Sequence, residues 1–192
     1  MHPPLCPPRR AIVAAASAGV AALTPVAVLA ATALPAAGAA TATSAPPCAT
    51  SGLVVWLDTQ GNGAAGSNYY HLEFTNQSGS ACMLGGYPGV SAVNLGGDQL
   101  GSAASRDKSR RPRTVRLASG ATATTVLRIV EAGNFPRSAC HQVSAAGLRV
   151  YPPNRTASKL IPFPFNACSR TGPVYLSVRA MQKAEGNIRR EP

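Results

Sequence analysis

Four of the five cysteines, Cys48, Cys82, Cys140 and Cys168, lie downstream of an alanine-rich apolar run that begins after Arg9 and Arg10; only Cys6 lies upstream. If the run is a signal sequence, Cys6 leaves with it and the exported chain keeps an even number of cysteines in a compartment where thiols oxidise. Gaps of 34, 58 and 28 residues contain no close Cys-x-x-Cys pair of the kind that fixes two zinc ligands on one turn, so the spacing favours disulfides over a metal site. Four cysteines allow three connectivities. Sequential pairing, Cys48 with Cys82 and Cys140 with Cys168, is expected because each bond would tie neighbouring strands.

The export reading rests on a cationic start, a soft apolar stretch from Ala11 to about Leu34, and small residues beyond it, with cleavage expected near Ala39. Residues 1–39 are read as the signal peptide, 40–47 as a flexible mature start, 48–180 as one domain and 181–192 as a polar tail. A retained anchor is the rival, since the run approaches the roughly 20 residues that span a bilayer. Pro25 and the excess of alanine over leucine weaken it, so no transmembrane segment is expected after cleavage. Pro8 and Ala11 do not complete a twin-arginine pattern. Ala45-Pro46-Pro47 before Cys48 is no lipobox.

From Thr41 onward the chain carries sixteen lysines and arginines against seven acids, a cationic field that attracts anionic partners. For an exported protein those are wall polymers or acidic lipids rather than nucleic acid. Short runs with period-two alternation or β-branched enrichment recur between turn residues, and no segment reads as an amphipathic helix. Leu53 to Leu57 is the first. In Tyr69 to Thr75, Tyr70, Leu72 and Phe74 share one face and Tyr69, His71 and Glu73 the other. Cys82 to Leu84 and Val90 to Leu95 follow. Thr114 to Leu117 and Ala121 to Val130 read as a hairpin turned at Ala118-Ser119-Gly120. Gly147 to Tyr151, Lys159 to Phe163 and Val174 to Arg179 complete eight or nine strands, with Pro162 and Pro164 expected to end theirs. The predicted fold class is all-β, an antiparallel two-sheet immunoglobulin-like sandwich stapled by disulfides.

The string Gly63-Ala64-Ala65-Gly66 with Tyr69 to Asn76, the run Cys82-Met83-Leu84-Gly85-Gly86-Tyr87-Pro88-Gly89-Val90, Gly133-Asn134-Phe135, Leu148 to Pro153 and a late Cys168 together resemble an actinobacterial secreted family called domain of unknown function 4232. The resemblance spans nearly the whole mature chain. It implies an exported, disulfide-bonded β-sandwich, often a lone domain behind a signal or lipoprotein signal, and no established activity.

Little in the chain points to catalysis. Only His71 and His141 survive maturation, the carboxylates are scattered, and no Gly-x-Ser-x-Gly elbow or phosphate loop occurs. His71 and Glu73 suit a solvent-side charge pair better than a base and its orienter. Cys140-His141 lacks the Ser-His-Gly-Cys order of wall transpeptidases. A non-enzymatic interaction or structural surface module is therefore expected, without metal or cofactor, and the alternative is a cryptic extracytoplasmic enzyme. One concentrated surface feature remains. Arg106, Lys108, Arg110, Arg111, Arg113 and Arg116, interrupted by Asp107, form a basic loop able to grip phosphates or carboxylates, or serving only as a solvated connection. No aromatic residue interleaves it, which argues against base stacking. Tyr87 and Tyr151, each before a proline, are expected to pack turns.

Overall fold

The computed structural model describes residues 44–184; the expected signal segment, its junction and the end of the tail lie outside the described residues. Within them, alternation builds the first hairpin. β1 (Leu53–Ala64) and β2 (Ser67–Asn76) pair antiparallel. Leu53, Leu57, Leu72 and Phe74 are buried while Val54, Trp56 and His71 face outward, so the period-two pattern chooses which face meets the core. Ala65 (φ 46°) and Gly66 (φ 71°) close the hairpin in the positive-φ geometry that matches strand twist. Glycine is needed at 66, because a Cβ there would lie 2.3 Å from Asn134 Nδ2.

β1 runs well past Leu57, where the sequence pattern stops. Between Asp58 and Asn62 its register shifts against His71 and Tyr69, leaving a bulge opposite Tyr70, whose ring covers Gly61. The extension is held by pairing with β2 rather than by its own turn-like composition.

β8 (Thr122–Val130) pairs along the other edge of β2 from Ser67↔Val130 to Thr75↔Thr122. Against its far edge lie β11 (Leu176–Val178) and then β12 (Gln182–Lys183), and β6 (Ser105–Arg106) joins β11 in parallel to complete a six-stranded sheet. A four-stranded sheet has the order β10 (Lys159–Cys168), β9 (Gln142–Tyr151), β4 (Gly89–Val93), β5 (Gln99–Leu100). β3 (Cys82–Gly85) and β7 (Thr114–Leu117) form a small third sheet. The fold is all-β, with one four-residue helix, α1 (Arg137–Cys140). Leu72, Leu127 and Val178 from the larger sheet, Val90, Leu148 and Ile161 from the four-stranded one, and Leu84 and Leu117 from the third belong to one core cluster. No buried side-chain polar atom among the described residues lacks a partner.

Three expectations about elements change. β7 and β8 do not form a hairpin: β7 pairs with β3, and the chain crosses between sheets at Ala118–Gly120. The corner is fastened by Asn76, fully buried, whose Nδ2 donates to the carbonyls of Ser80 (2.7 Å), Leu117 (3.1 Å) and Ala118 (3.2 Å). Pro162 and Pro164 do not end their strand, because β10 is an edge of its sheet and shifts register between Pro162 and Phe165, so the missing amides disrupt little pairing. Met181, read as the start of a frayed tail, is buried, and its amide donates to the Gly86 carbonyl (2.8 Å) before β12 pairs with β8.

The disulfides pair sequentially as expected. Cys48–Cys82 fastens the incoming chain to β3 and Cys140–Cys168 joins α1 to the end of β10, with Cα separations of 4.8 and 4.6 Å. Each closes a loop whose cross-link stabilises the fold by roughly 3 to 4 kcal/mol on the chain-entropy model.

Candidate functional site

The outer face of the six-stranded sheet is built by the same alternation that builds the core. Outward positions on β1, β2 and β8 stand in cross-strand register: Trp56 opposite Glu73 and Glu73 opposite Thr124, then Asp58 opposite His71 and His71 opposite Val126. β12 extends the first row, with Gln182 opposite Thr124. Over this face hangs the segment joining β6 to β7, which contains the basic loop.

Between sheet and loop lies a groove of about 500 Å³, with Asp58, His71 and Glu73 on its β1–β2 side and Arg179 and Lys183 beyond β8, where Arg110 of the loop joins them. It continues past β12 into a second hollow of about 800 Å³, lined by Arg110, Arg111, Arg113, Arg116 and Lys183. Four of the six cations named from the sequence are therefore brought together. Arg106 is used differently: its guanidinium lies 5.7 Å from the centre of the Tyr87 ring, a cation–π contact. Lys108 is exposed and lines neither hollow. Tyr87 packs as expected of a turn residue, and its hydroxyl donates to the Arg110 carbonyl (3.4 Å).

Asp107 does not neutralise the loop. Its Oδ2 accepts from Arg179 Nε at 3.1 Å and its Oδ1 from the Ser109 amide at 2.9 Å, while its own amide donates to the Val178 carbonyl. The Ser109 hydrogen bonds, first through the backbone amide, and then Arg179 hold the Asp107 carboxyl below its ordinary value. Asp107–Arg179 is the one salt bridge among the described residues. The cations from Arg110 to Arg116 thus face solvent without an acidic partner among those residues.

At the opposite end, burial first and the neighbouring Asp58 second push the Glu73 carboxyl above its ordinary value, with His71 pulling the other way. His71 and Glu73 share the outer face as expected, but no ion pair forms between them; His71 Nδ1 instead lies 3.4 Å from Thr124 Oγ1. Asp58, Arg179 and Lys183 carry no local signal that marks them as site residues, because only register across strands far apart in the chain gathers them.

His141 borders a separate cleft of about 540 Å³ with Phe135 and Arg137, and its Nδ1 lies 2.8 Å from Ser169 Oγ. A serine beside an imidazole invites comparison with acyl-transfer sites. Ser169 Oγ, however, donates to the carbonyl of His141 itself (2.9 Å), and the Ser169 amide donates to the same carbonyl (3.0 Å). A carbonyl oxygen can only accept, so the hydroxyl has a hydrogen-bond partner other than the imidazole. The contact fastens the two chain segments beside the Cys140–Cys168 bond.

Among the described residues no group of three or more histidine, cysteine or acidic side chains is placed to hold a metal ion, and no helix is long and apolar enough to cross a membrane. The family model described as "Domain of unknown function (DUF4232)" matches residues 48–182, from the first disulfide cysteine into β12. No curated protein and no solved structure matches the chain.

Proposed function

The chain belongs to the DUF4232 family, and from that premise we propose that it is an exported, non-enzymatic interaction module of the cell envelope whose basic groove takes anionic polymer or acidic lipid headgroups. One observation carries the reading: Arg110, Arg111, Arg113 and Arg116 line a single hollow with Lys183, while the loop's only acid is committed to Arg179. Convergent guanidinium groups without internal partners are suited to phosphate or carboxylate. Two disulfides within the domain support an oxidising compartment, and the apolar run behind Arg9 and Arg10 supports export.

The test is binding of the purified chain to poly(glycerol phosphate) and to acidic-lipid vesicles across a salt series, with neutral vesicles as control. Binding should weaken as salt rises. Exchanging Arg110, Arg111 and Arg113 together for serine should lower it several-fold, yet change stability by less than about 0.5 kcal/mol, since these side chains are exposed. Binding indifferent to both salt and the exchange would overturn the proposal.

A further inference from the structure

The groove is not uniformly basic, and its acidic end limits what can lie in it. A chain of bare phosphates following the groove from the loop would meet Asp58 and Glu73 on the β1–β2 side and be repelled. A hydrocarbon would strip those carboxylates of water without replacing it. A polyhydroxy chain meets neither obstacle, because each hydroxyl both donates and accepts. The wall offers both roles: Asp58 and Glu73 accept, His71 and Thr124 act either way, and Gln182 does both.

Trp56 adds a flat apolar surface. It is the only tryptophan of the chain and is 43 % exposed, held outward because its neighbours Val55 and Leu57 turn toward the core. Its in-register partner Glu73 lines the groove, so Trp56 stands one strand outside that lining on the same face of the sheet. The row Trp56, Glu73, Thr124, Gln182 crosses four strands, about 14 Å at the usual strand spacing, enough for a chain of several sugar rings. An exposed indole beside carboxylates stacks the C–H face of a sugar ring while the carboxylates take its hydroxyls.

We infer that the ligand of this groove is an acidic polysaccharide, its sugar rings lying across β1, β2 and β8 against Trp56 and its anionic substituents reaching Arg110 and Lys183. The inference rests on the basic-groove reading above and narrows it from any polyanion to a glycan.

Because Trp56 is the sole indole, its emission reports directly on the β1–β2 side of the groove. The full chain is titrated with hyaluronate oligosaccharides, with the same oligosaccharides after reduction of their carboxyls to alcohols, and with inorganic polyphosphate, using fluorescence and calorimetry together. Hyaluronate should shift Trp56 emission and bind most tightly. The carboxyl-reduced sugar should bind several-fold more weakly and still shift the emission, whereas polyphosphate should leave the emission unchanged. Trp56→Ala should weaken hyaluronate binding about tenfold by calorimetry, the worth of one stacked aromatic contact, and leave polyphosphate binding intact. An unchanged thermal midpoint shows that the variant is folded. Hyaluronate binding that is equal in Trp56→Ala, or that leaves the emission unmoved, overturns the glycan inference; salt-sensitive polyphosphate binding that survives alongside leaves the basic-groove reading standing. Loss of salt sensitivity and of all polyphosphate binding, with the neutral sugar still shifting Trp56, overturns the groove's basic half instead.

Discussion

Of the connections that carry the chain out of the six-stranded sheet, those after β8 and after β6 are fastened in opposite ways. The segment from Glu131 to His141, which leads from β8 to β9, has Ala132 and Cys140 buried and a disulfide to Cys168, and Asn134 Nδ2 donates to the Gly66 carbonyl at 2.8 Å. The segment from Asp107 to Arg113, which leads from β6 to β7, is anchored at one end by the Asp107–Arg179 pair and midway by the single long bond from Tyr87 to the Arg110 carbonyl. Its residues from Lys108 to Arg113 are all exposed. Covalent and buried fastening is spent where the domain needs only to hold together. Light polar fastening serves where side chains must stay free to meet something else.

The largest test of that contrast removes the covalent tie. Exchanging Cys140 and Cys168 together for serine should cost roughly 3 to 4 kcal/mol, seen as a large drop in the thermal midpoint, with groove binding retained at temperatures where the protein stays folded. An unmoved midpoint would mean that the first connection is not the scaffold described.

A smaller effect is expected from Asp107→Asn, since the ion pair it breaks is exposed and such pairs contribute about 1 kcal/mol or less. Here the informative readout is trypsin: cleavage after Lys108, Arg110 and Arg113 should accelerate while cleavage after Arg137 does not. The pH dependence has a definite sign. The Asp107 carboxyl is held below 3.8, so its contribution is present above that value and disappears as pH falls through the lower, native value; the parent and Asp107→Asn should converge in midpoint only in strong acid.

The smallest effect concerns the acidic end of the groove. Glu73 is raised above 4.5, so the folded chain holds that proton more readily than the unfolded one and loses stability as pH rises through this range. Glu73→Gln should therefore raise the midpoint slightly at neutral pH, by about 0.5 kcal/mol or less after solvent screening, and not at all in acid. A fall at neutral pH would show that the carboxylate is a needed partner on the sheet rather than a tolerated cost.

How much of this could be seen in the chain beforehand depended on the range of the interaction. The faces of Tyr69 to Thr75 and the sequential cysteine pairing rest on near neighbours and came through intact. The loop's cations were visible as a local cluster. What was hidden depended on partners far along the chain: β1 continues beyond Leu57 because β2 is there to pair with it, β7 turns to β3 because Asn76 takes the corner carbonyls, and Lys183 joins the groove because β12 returns to β8. Asp107 illustrates the limit most plainly, since it reads as an interruption of positive charge and acts as the tether of the segment that carries it.

The position of β8 has a kinetic consequence. It lies between β2, which precedes it by some fifty residues, and β11 and β12, which follow at a similar distance, so the middle of the largest sheet keeps an open edge until residues 176–183 are available. Pairing of that range closes large loops before any contact rewards them, which places folding in the slow regime of milliseconds to seconds and leaves the backbone groups of that edge unpaired meanwhile. A chain cut before Leu176 would present that edge permanently to its neighbours, as a template for aggregation. The last strands thus decide when the nascent chain stops being adhesive to its own kind.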